Sequence, residues 1–160
     1  MKVLITGSTG FIGGSLGRYG AQAGHTVMGT GRSPEPTKEW PGLYLPNDTS
    51  AESLSEIVSN FDPNVLLHAA GTASVGASLV DPLADFEGSV SVCANMLEAV
   101  RRSGKNPLVF IPSSAAVYGN PAALPVDEET KIQPISPYGF HKAMCETLAR
   151  ESAEIGRAHV

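Results

Sequence analysis

Three glycines spaced three apart close a short apolar run near the start of the chain, in Val3-Leu4-Ile5-Thr6-Gly7-Ser8-Thr9-Gly10-Phe11-Ile12-Gly13. A segment with Leu16, Tyr19 and Ala23 on roughly one helical face follows, so the order reads strand, tight turn, helix. Such a turn gathers bare backbone N–H groups and the positive end of a helix dipole at one point, where a phosphate can sit. Gly7 permits the sharp turn, Gly10 the close approach of a pyrophosphate, and Gly13 the packing of helix on strand. Thr9, Phe11 and Ile12 complete the candidate binding residues of this cradle. The spacing is G-x-x-G-x-x-G and not G-x-G-x-x-G, so the turn by itself leaves a ligand-free glycine turn open. The nucleotide reading gains its weight from the residues downstream.

Apolar strand patterns alternate with helical ones along the chain, which predicts an α/β fold with a doubly wound parallel sheet. The 160 residues suit one domain, and 42% hydrophobic with 17% charged residues supports a packed core. The second strand reads as His25 to Thr30 and is followed by Gly31 and Arg32. In a dinucleotide site this strand end faces the adenosine ribose; an acid there would bind a 2′-hydroxyl and an arginine would accept a 2′-phosphate. Gly31 takes the acidic position and Arg32 follows it, so NADP is preferred over NAD. A short third strand, Leu43 to Leu45, leads to Asn47 and Asp48, which lie where a polar side chain could meet adenine; Asp48 serves equally well as a turn residue. Ser50 caps a helix from about Ala51 to Asn60.

Val65 to Gly71 reads as the clearest buried strand. Ala69, Ala70 and Gly71 leave room at its carboxyl end for a cofactor, while His68 reads as a packed strand residue. Thr72 to Ser78 is expected to be a loop over the site. A long helix from about Pro82 or Leu83 to Ser103 carries Val92, Met96, Leu97 and Val100 on one stripe, as core or as subunit interface. The strand Leu108 to Ile111 delivers Pro112-Ser113-Ser114 to the edge where ligand sites gather in open α/β sheets. A loop rich in proline and acids follows, and then Tyr138 to Lys142 open the last helix.

Tyr138 and Lys142 are four apart and share one helical face. A lone tyrosine phenol is a poor base at neutral pH; a lysine ammonium one turn away favours its ionised form. With a serine hydroxyl on the same substrate oxygen, Ser114, Tyr138 and Lys142 could take a proton from a hydroxyl while hydride leaves its carbon for a nicotinamide.

Four stretches together resemble the extended short-chain dehydrogenase/reductases, the NAD(P)-dependent sugar epimerase/dehydratase family. They are Thr6 to Gly13, His68 to Gly71, Ser113 to Gly119 and Ser136 to Lys142, in family order and covering most of the chain up to about Ala153. The resemblance implies a Rossmann-like domain over residues 1–153, incomplete at its C-terminal end and lacking the substrate-binding lobe. It makes Ser114 the substrate-polarising serine, Tyr138 the acid/base, and Lys142 the residue that binds the nicotinamide ribose, with Ser113 close to the same site. The family asparagine of the central helix falls on Ser89, and the family aspartate that meets adenine on Asn47.

Sugar-nucleotide 4,6-dehydratases carry Thr-Asp-Glu where this chain has Ser114-Ala115-Ala116, and two alanines cannot supply the extra acid and base of a dehydration. Epimerisation of a nucleotide-activated hexose through a transient keto-sugar is therefore the first expectation. A keto-sugar-nucleotide reductase using NADPH is the second, and a non-catalytic dinucleotide-binding module the third. Family members commonly dimerise through the central helix and the Tyr-Lys helix, so a homodimer of the full-length form is implied. The formal charge of −5 argues against broad nucleic-acid binding. Cys93 and Cys145 have no metal-like spacing and fit a reducing cytoplasm; Met1-Lys2-Val3 leads directly into the first strand, with no secretory signal and no membrane-spanning run. The last residues, Glu154 to Val160, resemble the translation of a sequencing adapter, and a non-native tail on a truncated reading frame is expected.

Overall fold

The computed structural model describes residues 1–155. The tail reading lies, from residue 156 onward, outside the described residues. The apolar runs pair side by side as parallel strands: β1 (Lys2–Thr6), β2 (Thr26–Gly31), β3 (Leu43–Pro46), β4 (Val65–His68) and β5 (Leu108–Phe110), in the order β3-β2-β1-β4-β5. The order reverses between β1 and β4, so the crevice for a ligand opens at their carboxyl ends. The register fixes that edge: Thr6 lies opposite Thr30 on one side and His68 on the other.

Both faces of a parallel sheet need cover. On one face Leu4, Met28, Leu66 and Val109 pack against α2 (Ala51–Phe61) and α5 (Val92–Ser103). The stripe expected on the central helix belongs to this core: Met96 and Val100 are fully buried, which removes them from any subunit interface. On the other face Val3, Ile5 and Val27 meet Leu16, Ala21, Trp40 and Leu67. Leu16 belongs to α1 (Phe11–Gln22), but Tyr19 of the expected face is 73% exposed. α1 packs instead by Gly13, Gly14 and Gly17, because bare backbone lets it lie close to the sheet. Trp40, within the loop read only as proline-broken, fills the space this leaves. A Cβ on Gly29 would stand 2.5 Å from its ring, and one on Gly17 would run into the same ring. The indole N–H donates to the Leu43 carbonyl at 2.8 Å.

Other boundaries move for local reasons. Ser50 caps α2 as expected, its hydroxyl accepting from the Ser53 N–H. The expected loop from Thr72 instead contains α3 (Val75–Val80), capped by Ser74 and followed by α4 (Pro82–Phe86), capped by Asp81. The central helix is then interrupted by a π-helical turn over Glu87–Ser91 before α5 begins. Ser89 stands in that turn, so the irregularity is present without an asparagine. A 3₁₀ turn (Ala115–Tyr118) follows β5, and Ser136 caps α6 (Pro137–Glu154). β5 is the edge of the described sheet, and its Leu108 and Phe110 are exposed. Among the described residues no helix is long and apolar enough to cross a membrane.

Candidate active site

The carboxyl ends of β1, β2 and β4 enclose a cavity of about 680 Å³, within the range of small-molecule sites. Gly7, Thr9, Gly10, Arg32, Asn47, Ala69, Ala70 and Gly71 all line it. Gly7 has φ +67°, and a Cβ there would lie 2.6 Å from the Ala70 nitrogen, so only glycine fits. The N-cap of α1 is Gly10, and no side chain caps it. The first turn of a twelve-residue helix therefore presents backbone N–H groups at the cavity, the arrangement that accepts a phosphate. This cradle fits a dinucleotide.

The other residues of the turn lie further out. Gly13 is buried and packs against the Gly7 backbone; Phe11 is 91% exposed and borders a smaller hollow with Arg18 and Lys38; Ile12 is half exposed. Asn47 is buried, with its amide N–H donating to Ser53 Oγ at 2.7 Å and its carbonyl accepting from the Thr49 N–H at 2.6 Å. Asp48 is exposed and is not among the residues lining the cavity. Its carboxylate accepts from Ser53 Oγ at 2.7 Å and the Ser50 N–H at 2.9 Å, which hold it at about 2.

Tyr138 and Lys142 come together on α6, with the Lys142 ammonium 5.8 Å from the Tyr138 ring centre. Neither borders the cavity itself. Lys142 reaches its rim: Nζ donates to the Pro112 carbonyl at 3.4 Å and stands 4.0 Å from where a Cβ on Gly71 would be. Ser114 is half-buried, and its hydroxyl accepts from the Ala116 N–H at 3.2 Å. Among the described residues no hydrogen bond joins Ser114 to Tyr138. Ser113 is exposed and donates to the Glu146 carboxylate.

His68 lies in the cavity wall and is buried. Its Nδ1 shares a 2.8 Å bond with Thr6 Oγ1, while Nε2 has no partner. Burial, with a smaller contribution from the Lys142 charge, lowers it to about 4, so the ring is neutral at pH 7.

Two groups of residues escaped the sequence reading. Thr72, Glu87 and Gly88 line the cavity, yet they come from segments read as a loop and a plain helix. Asp85 and His141 form a buried pair, Oδ2 to Nδ1 at 2.5 Å, across 56 positions of sequence, a separation at which no spacing rule operates.

The profile of the NAD dependent epimerase/dehydratase family matches residues 3–159. The UDP-glucose 4-epimerase of Rhizobium meliloti is 30% identical over 153 residues, 94% of this chain and 46% of that protein. That of Mycolicibacterium smegmatis is 32% identical over 156 residues, 91% of this chain and 49% of the relative. Among solved structures, the UDP-glucose 4-epimerase of Brucella ovis in complex with NAD superposes with a TM-score of 0.88 at 29% identity, over 96% of this chain and 48% of that one. The enzyme of Stenotrophomonas maltophila, with bound NAD and formylated UDP-arabinopyranose, gives 0.89 at 28% identity, over 98% and 49%. The chain thus spans about half the length of the curated relatives it matches.

Proposed function

Because the chain belongs to the NAD dependent epimerase/dehydratase family, we propose that it is the cofactor-binding and proton-transferring part of an enzyme that epimerises a nucleotide-activated hexose at C4. The observation that carries this is the pairing of Tyr138 with Lys142 on α6, with the lysine ammonium at the cavity rim beside Gly71. Gly7, Gly10 and the open N-terminus of α1 would hold the pyrophosphate, and Lys142 the nicotinamide ribose. When bound, the nicotinamide supplies hydride exchange with a sugar carbon. The Tyr138 phenolate takes the proton of the C4 hydroxyl, becoming the phenol, and later returns it. The Ser114 hydroxyl donates a hydrogen bond to the same oxygen, and Lys142 favours the ionised phenol by its charge. The naming of its relatives supports a uridine diphosphate hexose as substrate.

A second reading, a keto-sugar-nucleotide reductase using NADPH, draws on Arg32. It lines the cavity at the end of β2 with no acid at Gly31, which favours NADP. We also propose a homodimer. With Met96 and Val100 in the core, the exposed apolar side chains on the neighbouring helices include Leu79, Val80, Leu83, Phe140 and Met144 of α3, α4 and α6. The two buried free thiols suit a reducing cytoplasm. The sugar-gripping residues would lie in the half of the family's length that this chain does not span.

The test starts by reading the source DNA past the codons for Glu154 and continuing to the stop. The encoded product is then incubated with UDP-glucose or UDP-galactose. Interconversion without added reductant, falling about 100-fold or more in Tyr138→Phe, is the expected result. Stoichiometric NADPH oxidation with a keto-sugar nucleotide, and no interconversion, would overturn epimerisation in favour of reduction.

A further inference from the structure

We infer that Asp85 is a positioning residue that holds the helix carrying Tyr138 and Lys142 in register with the floor of the cavity; this rests on the dinucleotide reading of that cavity. Two other segments meet at its buried carboxylate. Oδ1 accepts from the Thr72 hydroxyl at 2.5 Å, and Oδ2 from His141 Nδ1 at 2.5 Å. Thr72 Oγ1 also lies 2.6 Å from Ser89 Oγ in the π-helical turn, which in turn faces the Thr72 N–H at 3.4 Å.

The donors can be ordered. An ionised carboxylate only accepts, so Thr72 spends its hydroxyl hydrogen on Asp85 and takes the bond from Ser89. His141 must carry its proton on Nδ1. The Phe86 ring meets the imidazole edge-on, with centres 5.5 Å apart at 80°, and fixes its plane.

The clamp sits one residue from the gap it sets. Thr72 follows Gly71 and His141 precedes Lys142, and Lys142 Nζ stands 4.0 Å from the Cβ position of Gly71. Tying Thr72 to His141 through one carboxylate therefore fixes how far the ammonium stands from the backbone at the cavity rim. Stability alone gives little reason for such an arrangement, because replacing a buried charged group and its partners by a well-packed apolar set of similar volume is often neutral or stabilising. A fixed geometry is what the polar set adds.

The test is calorimetric titration of the chain with NADH and, separately, with ADP, which lacks the nicotinamide riboside and so never meets Lys142. Asp85→Asn should weaken NADH about tenfold, the worth of one charge-assisted hydrogen bond, and leave ADP within about twofold. Thr72→Val, a milder change, should likewise weaken NADH. Asp85→Asn combined with Lys142→Met should bind NADH no more weakly than Lys142→Met alone. Equal weakening of NADH and ADP, an unchanged NADH affinity in Asp85→Asn, or losses that multiply in the double variant would each overturn the positioning role while leaving the cavity's reading intact. A parent chain that binds neither nucleotide would overturn that reading and the positioning role with it.

Discussion

Single side chains decide two properties of the site. Arg32 stands where β2 meets the cavity, and Gly31 beside it offers no carboxylate. On the proposed NADP reading, Arg32→Glu should shift relative affinity toward NAD, by about tenfold or more in the ratio of dissociation constants, because an acid repels a 2′-phosphate and accepts from a 2′-hydroxyl. Equilibrium titration with both nucleotides checks this; an unchanged ratio would place the 2′ position elsewhere. His68 governs a different quantity. Its folded value is about 4 against 6.5 for a free imidazole, so between those values the unfolded chain binds a proton that the folded chain refuses. Its contribution is fully present above pH 6.5 and is lost as pH falls toward 4, at up to about 1.4 kcal/mol per pH unit. Urea unfolding at a series of pH values should show His68→Gln losing less stability across this window than the parent. Identical slopes would mean that the imidazole is charged in the fold.

At the level of elements, helix ends and close packing carry the testable energetics. Ser50→Ala removes the hydroxyl that caps α2 and should cost about 1 kcal/mol, read as a lower melting temperature with the nucleotide affinities unchanged. Gly17→Ala forces a methyl into the Trp40 ring across the α1 face and should cost about 1–3 kcal/mol, with a shift in tryptophan emission because the ring must move. The sequence made the strands, the glycine turn and the Ser50 cap legible, because each rests on local chemistry: apolar runs, backbone freedom, and a hydroxyl before a helix. α3 escaped because a stretch of small polar residues such as Thr72 to Ser78 reads as a loop unless its caps are known. The π-helical turn escaped because the apolar stripe that marked the central helix begins only at Val92, just after it. Tyr19 misled because an amphipathic count rewards a large ring, whereas α1 approaches the sheet through glycines, which carry no such signal. Of the site, the cradle and the Tyr138–Lys142 pair could be read from spacing. Thr72, Asp85 and His141 could not, since tertiary structure alone brings them together.

Over the whole molecule, the parts fall into the order that the proposed hydride chemistry on a bound alcohol would use. The sheet carries a glycine turn and an uncapped helix N-terminus at its switch point, small residues beyond β4 line the cavity, and α6 sets an ammonium at its rim with a phenol beside it. The central claim is that this cavity holds a nicotinamide dinucleotide at the glycine turn. Calorimetric titration of the 160-residue chain with NADP and with NAD, alongside Gly7→Ala and Tyr138→Phe, tests it most directly. The expected result is one site per chain, tighter for NADP, abolished in Gly7→Ala, where a Cβ would meet the Ala70 nitrogen at 2.6 Å, and retained in Tyr138→Phe. No binding of either nucleotide, or binding that survives Gly7→Ala unchanged, would contradict the account.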